Sequence, residues 1–148
     1  MTTTTPILSG RDIALAHHAT RATLQLVLTD LGITFQQSIL TNALDDDAVD
    51  REQLVRRLVD GLKIGADEAT AIVDSLIDEG LAAPTADGQT LELTASGAAN
   101  QSEIRAATTR IVATLYRDLP PEDLVTAQRV LATVTERANH ELELAAHS

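Results

Sequence analysis

The sequence contains no cysteine, and its aromatic side chains are limited to Phe35 and Tyr116. Without cysteine the chain can form no disulfide bond, no thiolate metal site and no cysteine redox sensor. With so few rings, the core has to be filled by Ala, Leu, Val and Ile, and this composition favours packing of helices on helices over a β-sandwich. At 148 residues the chain is long enough for one domain with its own core.

Long apolar runs and cations are also scarce. No apolar run approaches the roughly 20 residues that cross a bilayer, and the first residues lack the basic and apolar regions of a signal peptide. We therefore expect a cytoplasmic protein without a membrane partner. The 22 acidic residues outnumber 11 Lys and Arg, and the formal net charge of −11 opposes non-specific attraction to nucleic acid or anionic lipid.

Apolar residues recur at three- and four-residue spacing along most of the chain, which predicts six helices. A turn signal at Asp87 and Gly88 lies between two short alternating segments and predicts one β-hairpin. The helices are expected over residues 10–30, 33–44, 50–62, 66–79, 94–118 and 121–145, and the strands over 81–84 and 90–93.

Capping residues support several of these boundaries. Thr34 and Gln37 have the spacing of a capping box at the start of the second helix. Asp50 and Thr94 are expected to cap the third and fifth helices. Gly80 stands where a left-handed residue should end the fourth helix.

The third and fourth helices, their tight turn and the hairpin have the order of a winged helix-turn-helix. We predict a mainly α fold with a small β-hairpin wing and long terminal dimerisation helices, in which residues 1–148 form one domain. Residues 32–94 would form the winged unit, and residues 10–31 and 95–148 the dimerisation helices. The apolar seam along these terminal helices predicts a two-fold homodimer; the alternative is a monomer whose ends fold back on its own winged unit.

A winged unit usually sets its second helix in a DNA groove, yet the charge of this one opposes such contact. Between Gly32 and Gly97 there are four basic and thirteen acidic residues, a net charge of −9. The predicted recognition helix and the wing contain no cation. Because phosphate neutralisation supplies much of the affinity of a DNA-binding protein, the sequence predicts a weakened grip on DNA.

Several local strings, in this order, resemble the MarR family of bacterial winged-helix regulators over roughly residues 10–145. Residues 31–37 look like the family's leucine-threonine-glutamine start of helix two, and residues 54–58 like its helix three. Residues 72–81 resemble its recognition-helix signature. Residues 91–97 match the leucine-threonine-x-x-glycine that leaves the wing, and residues 119–124 resemble the proline-glutamate-x-leucine hinge before the last helix.

The resemblance implies a homodimer whose two winged units bind pseudo-palindromic double-stranded DNA, with small anionic or phenolic ligands relieving that binding. Many members of the family repress genes for efflux, stress or catabolism. The chain departs from the family at the wing tip, where Asp87-Gly88-Gln89 lacks the usual arginine. The candidate DNA-binding residues are Arg51, Arg56, Arg57, Lys63, Thr70, Ser75 and Gln89.

The resemblance also implies a ligand pocket between the dimer helices and the winged unit. An anionic ligand there would need an arginine, and Arg21, Arg105 and Arg110 are the candidates, with Phe35 or Tyr116 as a flat wall. The alternative is that these arginines pair with acids on exposed helix faces.

No metal, cofactor or catalytic role can be assigned from the sequence. His17 and His18 are adjacent on the first helix and are expected at the surface or in a dimer interface. His140 and His147 could chelate a metal together with Glu143, but a solvated chain end is the better expectation. The sequence contains no nucleophile elbow, Gly-rich phosphate loop or metal pair, so we expect no enzyme.

Two functions remain open at this stage. The first is a MarR-like, ligand-responsive DNA-binding transcriptional regulator with a weakened DNA grip. The second is a MarR-like dimer that has lost DNA binding and instead binds a small molecule or a basic protein partner.

Overall fold

The computed structural model describes residues 7–147, which form six helices and a three-stranded sheet. The chain divides into two compact units, Met1–Ile111 and Val112–Ser148, with the boundary inside one long helix. None of the described helices is both long enough and apolar enough to cross a membrane. The elements are α1 Gly10–Leu31, α2 Phe35–Ala43, β1 Val49–Asp50, α3 Arg51–Leu62, α4 Ala66–Asp78, β2 Ala82–Pro84, β3 Thr90–Leu93, α5 Ala95–Leu115 and α6 Pro121–Ala146.

Local capping sets the bounds of α2. The Thr34 hydroxyl accepts from the backbone N–H of Gln37 at 3.0 Å, and the Gln37 side chain accepts from the backbone N–H of Thr34 at 3.1 Å. This reciprocal pair confirms the predicted capping box. The helix begins at Phe35 rather than at residue 33, because Ile33 precedes the cap and is buried in the core at 4% exposure.

The sheet has the order β1-β3-β2, and both pairings are antiparallel. The hairpin of β2 and β3 is the predicted wing, with Ala82 opposite Leu93. β1 was not predicted, because two residues are too few to show an alternating pattern. It pairs Val49 with Leu91 and so joins the segment before α3 to the wing.

The core of the first unit is aliphatic, as the composition predicted. It joins α2, α3 and α4 to the base of the wing, with Leu28 of α1 and Ile104 and Ala107 of α5 at its edge. Each fully buried Leu contributes roughly 1.5–3 kcal/mol relative to an exposed one. The largest apolar members are Leu28, Ile33, Leu40, Leu44, Leu54, Leu58, Val73, Leu76, Leu81, Leu91 and Ile104.

A tight junction joins the wing to α5. The Thr94 hydroxyl accepts from the Gly97 N–H at 3.0 Å and donates to the Gly80 carbonyl at 2.6 Å. Gly80 has the left-handed conformation expected of it, with φ of 75°. A Cβ on Gly97 would lie 1.9 Å from the Leu81 carbonyl oxygen. Only glycine therefore allows α5 to approach the wing this closely.

The second unit contains the end of α5 and all of α6. Pro121 begins α6 at a position where its missing N–H costs nothing. None of the described residues of α6 is buried. The exposed fractions of Leu131, Val134 and Leu142 are 43%, 43% and 53%. The apolar residues that the sequence places along one face of α6 therefore form a stripe that remains exposed in the single chain.

Candidate nucleic-acid interface and ligand cavity

The outward side of α4 follows directly from its buried stripe. Residues three and four positions apart share a helix face. On the side of α4 opposite the buried stripe, four residues follow one another at spacings of four, three and four positions. The fully buried stripe is Ala69, Val73 and Leu76, and the opposite row, here called the outward row, is Asp67, Ala71, Asp74 and Asp78. Three carboxylates and one methyl group therefore form the outward side of α4, the predicted recognition helix.

Arg51 links three elements of the winged unit. Its guanidinium forms an ion pair with the Asp74 carboxylate, and its backbone N–H donates to the Gln89 carbonyl at 2.9 Å. The first residue of α3 is thereby tied both to α4 and to the wing. About a third to a half of each paired side chain is exposed, so the pair contributes roughly 0–1 kcal/mol, and the positive charge of Arg51 is already compensated.

The other cations of the winged unit lie on α3 or directly after it. Arg56 is two residues from both Leu54 and Leu58, which are fully buried, so it points away from the core. Arg57 is also exposed, and within residues 7–147 neither arginine takes part in an ion pair. Lys63 is exposed at the left-handed residue that ends α3, with φ of 59°.

The hydroxyl groups expected at the interface are engaged inside the winged unit. Thr70 donates to the Ala66 carbonyl at 2.8 Å. Ser75 donates to the Ile72 carbonyl at 2.6 Å and accepts from the Gln37 amide at 3.0 Å. Ser75 therefore faces α2, and only Thr70 lies beside the outward row.

The wing tip is ordered around one carboxylate. Asp87 accepts from the backbone N–H groups of Gln89 and Thr90, both at 2.9 Å, and from the hydroxyls of Thr85 and Thr90. The backbone hydrogen bond from Thr90, then that from Gln89, holds the pKa of Asp87 well below its ordinary value of 3.8. Gln89 presents an exposed side chain, while its backbone N–H is engaged with Asp87. The tip is thus preorganised but negative.

A cavity of about 300 Å³ lies between α1, α2 and α5. Phe35 and Arg105 are both in its wall, and the Arg21 guanidinium carbon lies 4.1 Å from the centroid of the Phe35 ring. Arg105 donates from both Nε, at 3.0 Å, and a terminal nitrogen to the Asp45 carboxylate. The full lining is Leu24, Phe35, Ser38, Ile39, Asn42, Gln101, Ile104, Arg105, Thr108 and Thr109.

Three of the predicted ligand residues thus lie in or beside this cavity, because Phe35 shares its wall with Arg105 and contacts Arg21. Tyr116 belongs to the second unit, where it lines an apolar groove of about 610 Å³ together with Leu124 and Leu131. The pairing of Arg105 with Asp45 matches the alternative in which the arginines satisfy acids.

Among residues 7–147, no three His, Asp or Glu side chains lie close enough together to hold one metal ion. His17 and His18 are exposed, with ring centroids 5.4 Å apart, and the centroids of the His17 and Phe35 rings are 6.4 Å apart in an edge-on arrangement. His140 and His147 are exposed on and just after α6.

No protein-family model matches the chain, and no curated protein sequence matches it. Solved structures do. A putative MarR-family regulator from Listeria monocytogenes, complexed with a 26mer DNA, superposes with a TM-score of 0.73 at 18% identity, over 92% of each chain. Ligand-free NadR gives a TM-score of 0.73 at 20% identity, over 90% of this chain and 98% of NadR.

The chain has the MarR-type winged-helix fold. Two further structures agree. CouR from Rhodococcus jostii RHA1, bound to p-coumaroyl-CoA, gives a TM-score of 0.66 at 12% identity over 83% of this chain and 88% of CouR. NadR in complex with 4-hydroxyphenylacetate gives 0.66 at 22% identity over 91% and 98%. The predicted fold class, mainly α with a small β wing, is confirmed.

Within the MarR-type fold, sequence reasoning missed two buried glutamines. Gln37 was recognised only as a helix cap, and Gln101 was not singled out. Both are almost completely buried, at 3% and 1% exposure. Gln101 accepts from the Thr41 hydroxyl at 2.8 Å and joins α5 to α2. The available signal was a polar residue in step with apolar ones at three- and four-residue spacing, as Gln101 is with Ile104.

Proposed function

We propose that the protein is a homodimeric, DNA-binding transcriptional regulator that responds to a small ligand and holds DNA weakly. The observation that carries this proposal is the ordered helix-turn-helix and wing: α3 and α4 joined by a three-residue turn, and a wing tied to α3 through the Arg51 N–H. No step in this proposal is enzymatic.

Homodimer formation is supported by the second unit. Its α6 has no buried residue among those described, and it carries a stripe of large apolar side chains that water contacts. Exposed apolar patches of this kind mark interaction surfaces. In a dimer with a second copy of the same chain, a two-fold axis would relate the two winged units, as palindromic half-sites require.

The proposed DNA grip depends on Arg56, Arg57 and Lys63, with Thr70 beside the outward row and Gln89 at the wing tip. Arg51 and Ser75 remain candidates by position, although their side chains are engaged with Asp74 and Gln37. Because few phosphates are neutralised, affinity should be low and should depend only shallowly on salt. Fluorescence anisotropy with DNA from upstream of the protein's own gene tests this at low ionic strength.

The decisive comparison uses the double variant Arg56→Ala, Arg57→Ala. If these arginines contact phosphates, the variant should bind more weakly, and the slope of log affinity against log salt should decrease by about 2. The double variant Arg11→Ala, Arg129→Ala has the same charge but changes exposed sites outside the winged unit, and it serves as the control. The DNA-binding proposal would be refuted if the unmodified protein binds this DNA no more tightly than a micromolar Kd.

The ligand response is proposed for the cavity lined by Phe35 and Arg105. Two proteins of similar fold were solved with a bound phenolic compound, NadR with 4-hydroxyphenylacetate and CouR with p-coumaroyl-CoA. An anionic phenol could stack near Phe35 and compete with Asp45 for Arg105. Thermal melting with 4-hydroxyphenylacetate or salicylate should raise the Tm of the unmodified protein, and Arg105→Ala should reduce that shift. No shift in either protein would refute a pocket for these anions.

A second candidate function is a dimer that no longer binds DNA and instead binds a small molecule or a basic protein. The outward row of α4 favours it, because Asp67 and Asp78 are exposed carboxylates where phosphates would lie. Lack of DNA binding at low salt, together with a melting shift by the phenolic anions, would favour this candidate over the first.

A further inference from the structure

Helix α2 is a nine-residue helix that contacts both the cavity and the recognition helix. Phe35, Ile39 and Asn42 line the cavity on one side. Gln37, two residues after Phe35, is buried on another side and faces α4. Phe35 and Gln37 lie in the same first turn of α2, so a shift of this turn at Phe35 also displaces Gln37.

The amide of Gln37 makes three contacts that no other side-chain type could make together. Its oxygen accepts from the Thr34 N–H, and its nitrogen donates to the Ser75 hydroxyl at 3.0 Å and to the Glu79 carboxylate. A glutamate at this position would lack the donor and would repel Glu79. A leucine would fill the volume but leave both partners on α4 without the amide.

These contacts lie at the C-terminal turn of the recognition helix. Glu79 is the C-cap of α4, and the backbone N–H groups of Glu79, Gly80 and Leu81 close that turn on Ser75, Ile77 and Leu76. The other end of α2 is held separately, because Thr41 donates to the buried Gln101 of α5. The first turn of α2 is thus hydrogen-bonded to α4 through Gln37, and its last turn is hydrogen-bonded to α5 through Thr41.

We propose that Gln37 is the positioning residue that transmits displacement of Phe35 in the cavity to the C-terminal turn of α4. Its regulatory meaning rests on the proposed function, since it would couple an occupied cavity to the recognition helix. The mechanical link itself requires neither a ligand nor DNA. Buried hydrogen-bonded amides hold their partners to one geometry, and loss of one partner costs more than the bond contributes.

Hydrogen–deuterium exchange of the full-length protein tests the link without any ligand. Phe35→Leu disturbs the cavity wall while keeping an apolar side chain. In the otherwise unmodified protein it should speed exchange of the Glu79, Gly80 and Leu81 amides by about fivefold, the size of one lost hydrogen bond. The Lys63 amide closes the end of α3 on Val59 at 3.0 Å and serves as the internal reference, because a global loss of stability would speed it equally.

The same substitution is then made in a Gln37→Leu background. If the link runs through the amide, Phe35→Leu should now leave exchange at the end of α4 unchanged. Gln101→Leu is the matched control, since it removes an equally buried amide that holds α5 instead, and the Phe35 effect should persist there. Should Gln37→Leu fail to fold, Ser75→Ala replaces it; this variant removes the hydroxyl that accepts from the Gln37 amide and donates to the Ile72 carbonyl, and the Phe35 effect should then be reduced.

Two results would overturn the proposal. In the first, Phe35→Leu changes exchange at the end of α4 no more than at Lys63. In the second, its effect is equally large with and without Gln37. Neither result depends on DNA binding, so failure of this link and failure of the proposed function are separate outcomes.

Discussion

The winged unit and the second unit contain the same apolar sequence pattern but bury it to different extents. In α4 the apolar residues at three- and four-residue spacing, Ala69, Val73 and Leu76, are fully buried within the chain. In α6 the same spacing leaves Leu131 and Val134 43% exposed. Periodicity therefore predicts a helix and its apolar face, but not which surface covers that face. Substitutions in the first unit should change folding stability, whereas those on α6 should change assembly.

The largest effect is expected at the junction of the wing and α5. Gly97→Ala would place a Cβ 1.9 Å from the Leu81 carbonyl oxygen, so α5 or the wing has to move. We expect a loss of about 3 kcal/mol or more in the free energy of unfolding, measured by chemical denaturation.

Gly61→Ala is the matched control for that substitution. Gly61 is in α3, and a Cβ there would meet nothing within 4 Å. The alanine should stabilise the protein by about 0.5–1 kcal/mol. Equal effects of the two substitutions would contradict the close approach at Gly97.

The second largest effect is expected on dimerisation rather than on folding stability. Leu131→Glu on the exposed stripe should weaken dimerisation by about 2 kcal/mol or more, a rise of roughly 30-fold in dimer Kd, because a carboxylate would enter an apolar interface. Sedimentation velocity over a concentration series measures it. Val125→Glu is the control, because Val125 is another exposed apolar residue of α6 that lies off this stripe. This variant should leave the dimer Kd nearly unchanged. If both variants raise the dimer Kd equally, the dimer interface does not lie at this stripe.

The third effect concerns the outer surface of the winged unit. Ala71→Arg puts a cation into the outward row beside Asp67 and Asp74, and we expect DNA affinity at low salt to rise by about tenfold. Ala106→Arg makes the same charge change at an exposed site on α5 and should have a much smaller effect. Anisotropy titrations compare the two. Equal gains would mean that total charge, and not the outward row, limits binding.

The smallest effect is a pH dependence at the wing tip. The pKa of Asp87 lies below its ordinary value of 3.8 in the folded protein because the carboxylate accepts backbone hydrogen bonds from Thr90 and Gln89. Its contribution to stability is therefore complete above that value and is lost as the pH falls toward the folded pKa.

The Tm difference between the unmodified protein and Asp87→Ala should be constant from pH 7 to about pH 4 and should shrink below it. Glu92→Ala, at an exposed residue of β3, is the control for a change in charge alone. A difference that does not depend on pH would mean that the loop is ordered without the Asp87 charge.

Much of the fold could be predicted because its signals are local. The Thr34–Gln37 box, the left-handed Gly80 and the Thr94 cap each depend on residues no more than three or four positions away, and all are confirmed. The strand β1 was missed because only its pairing with β3, about 40 residues later, makes it a strand.

The candidate site was harder to predict because long-range partners decide what a side chain can do. Ser75 was predicted as a DNA-contacting residue, yet its hydroxyl accepts a hydrogen bond from Gln37, 38 residues earlier. Arg105 was predicted as a ligand residue, and it is in the cavity wall, but its partner Asp45 is 60 residues away. Arg51 similarly pairs with Asp74.

The sequence by itself determined the helices, the wing and the sign of the surface charge, because capping, periodicity and charge depend on neighbouring residues and on composition. Tertiary structure alone decided which polar groups are engaged: Gln37 with α4, Gln101 with α2, and Arg51 with Asp74. The reason is physical. A polar side chain that leaves water has to find a partner with the right geometry, and packing of distant segments determines which partner is within reach.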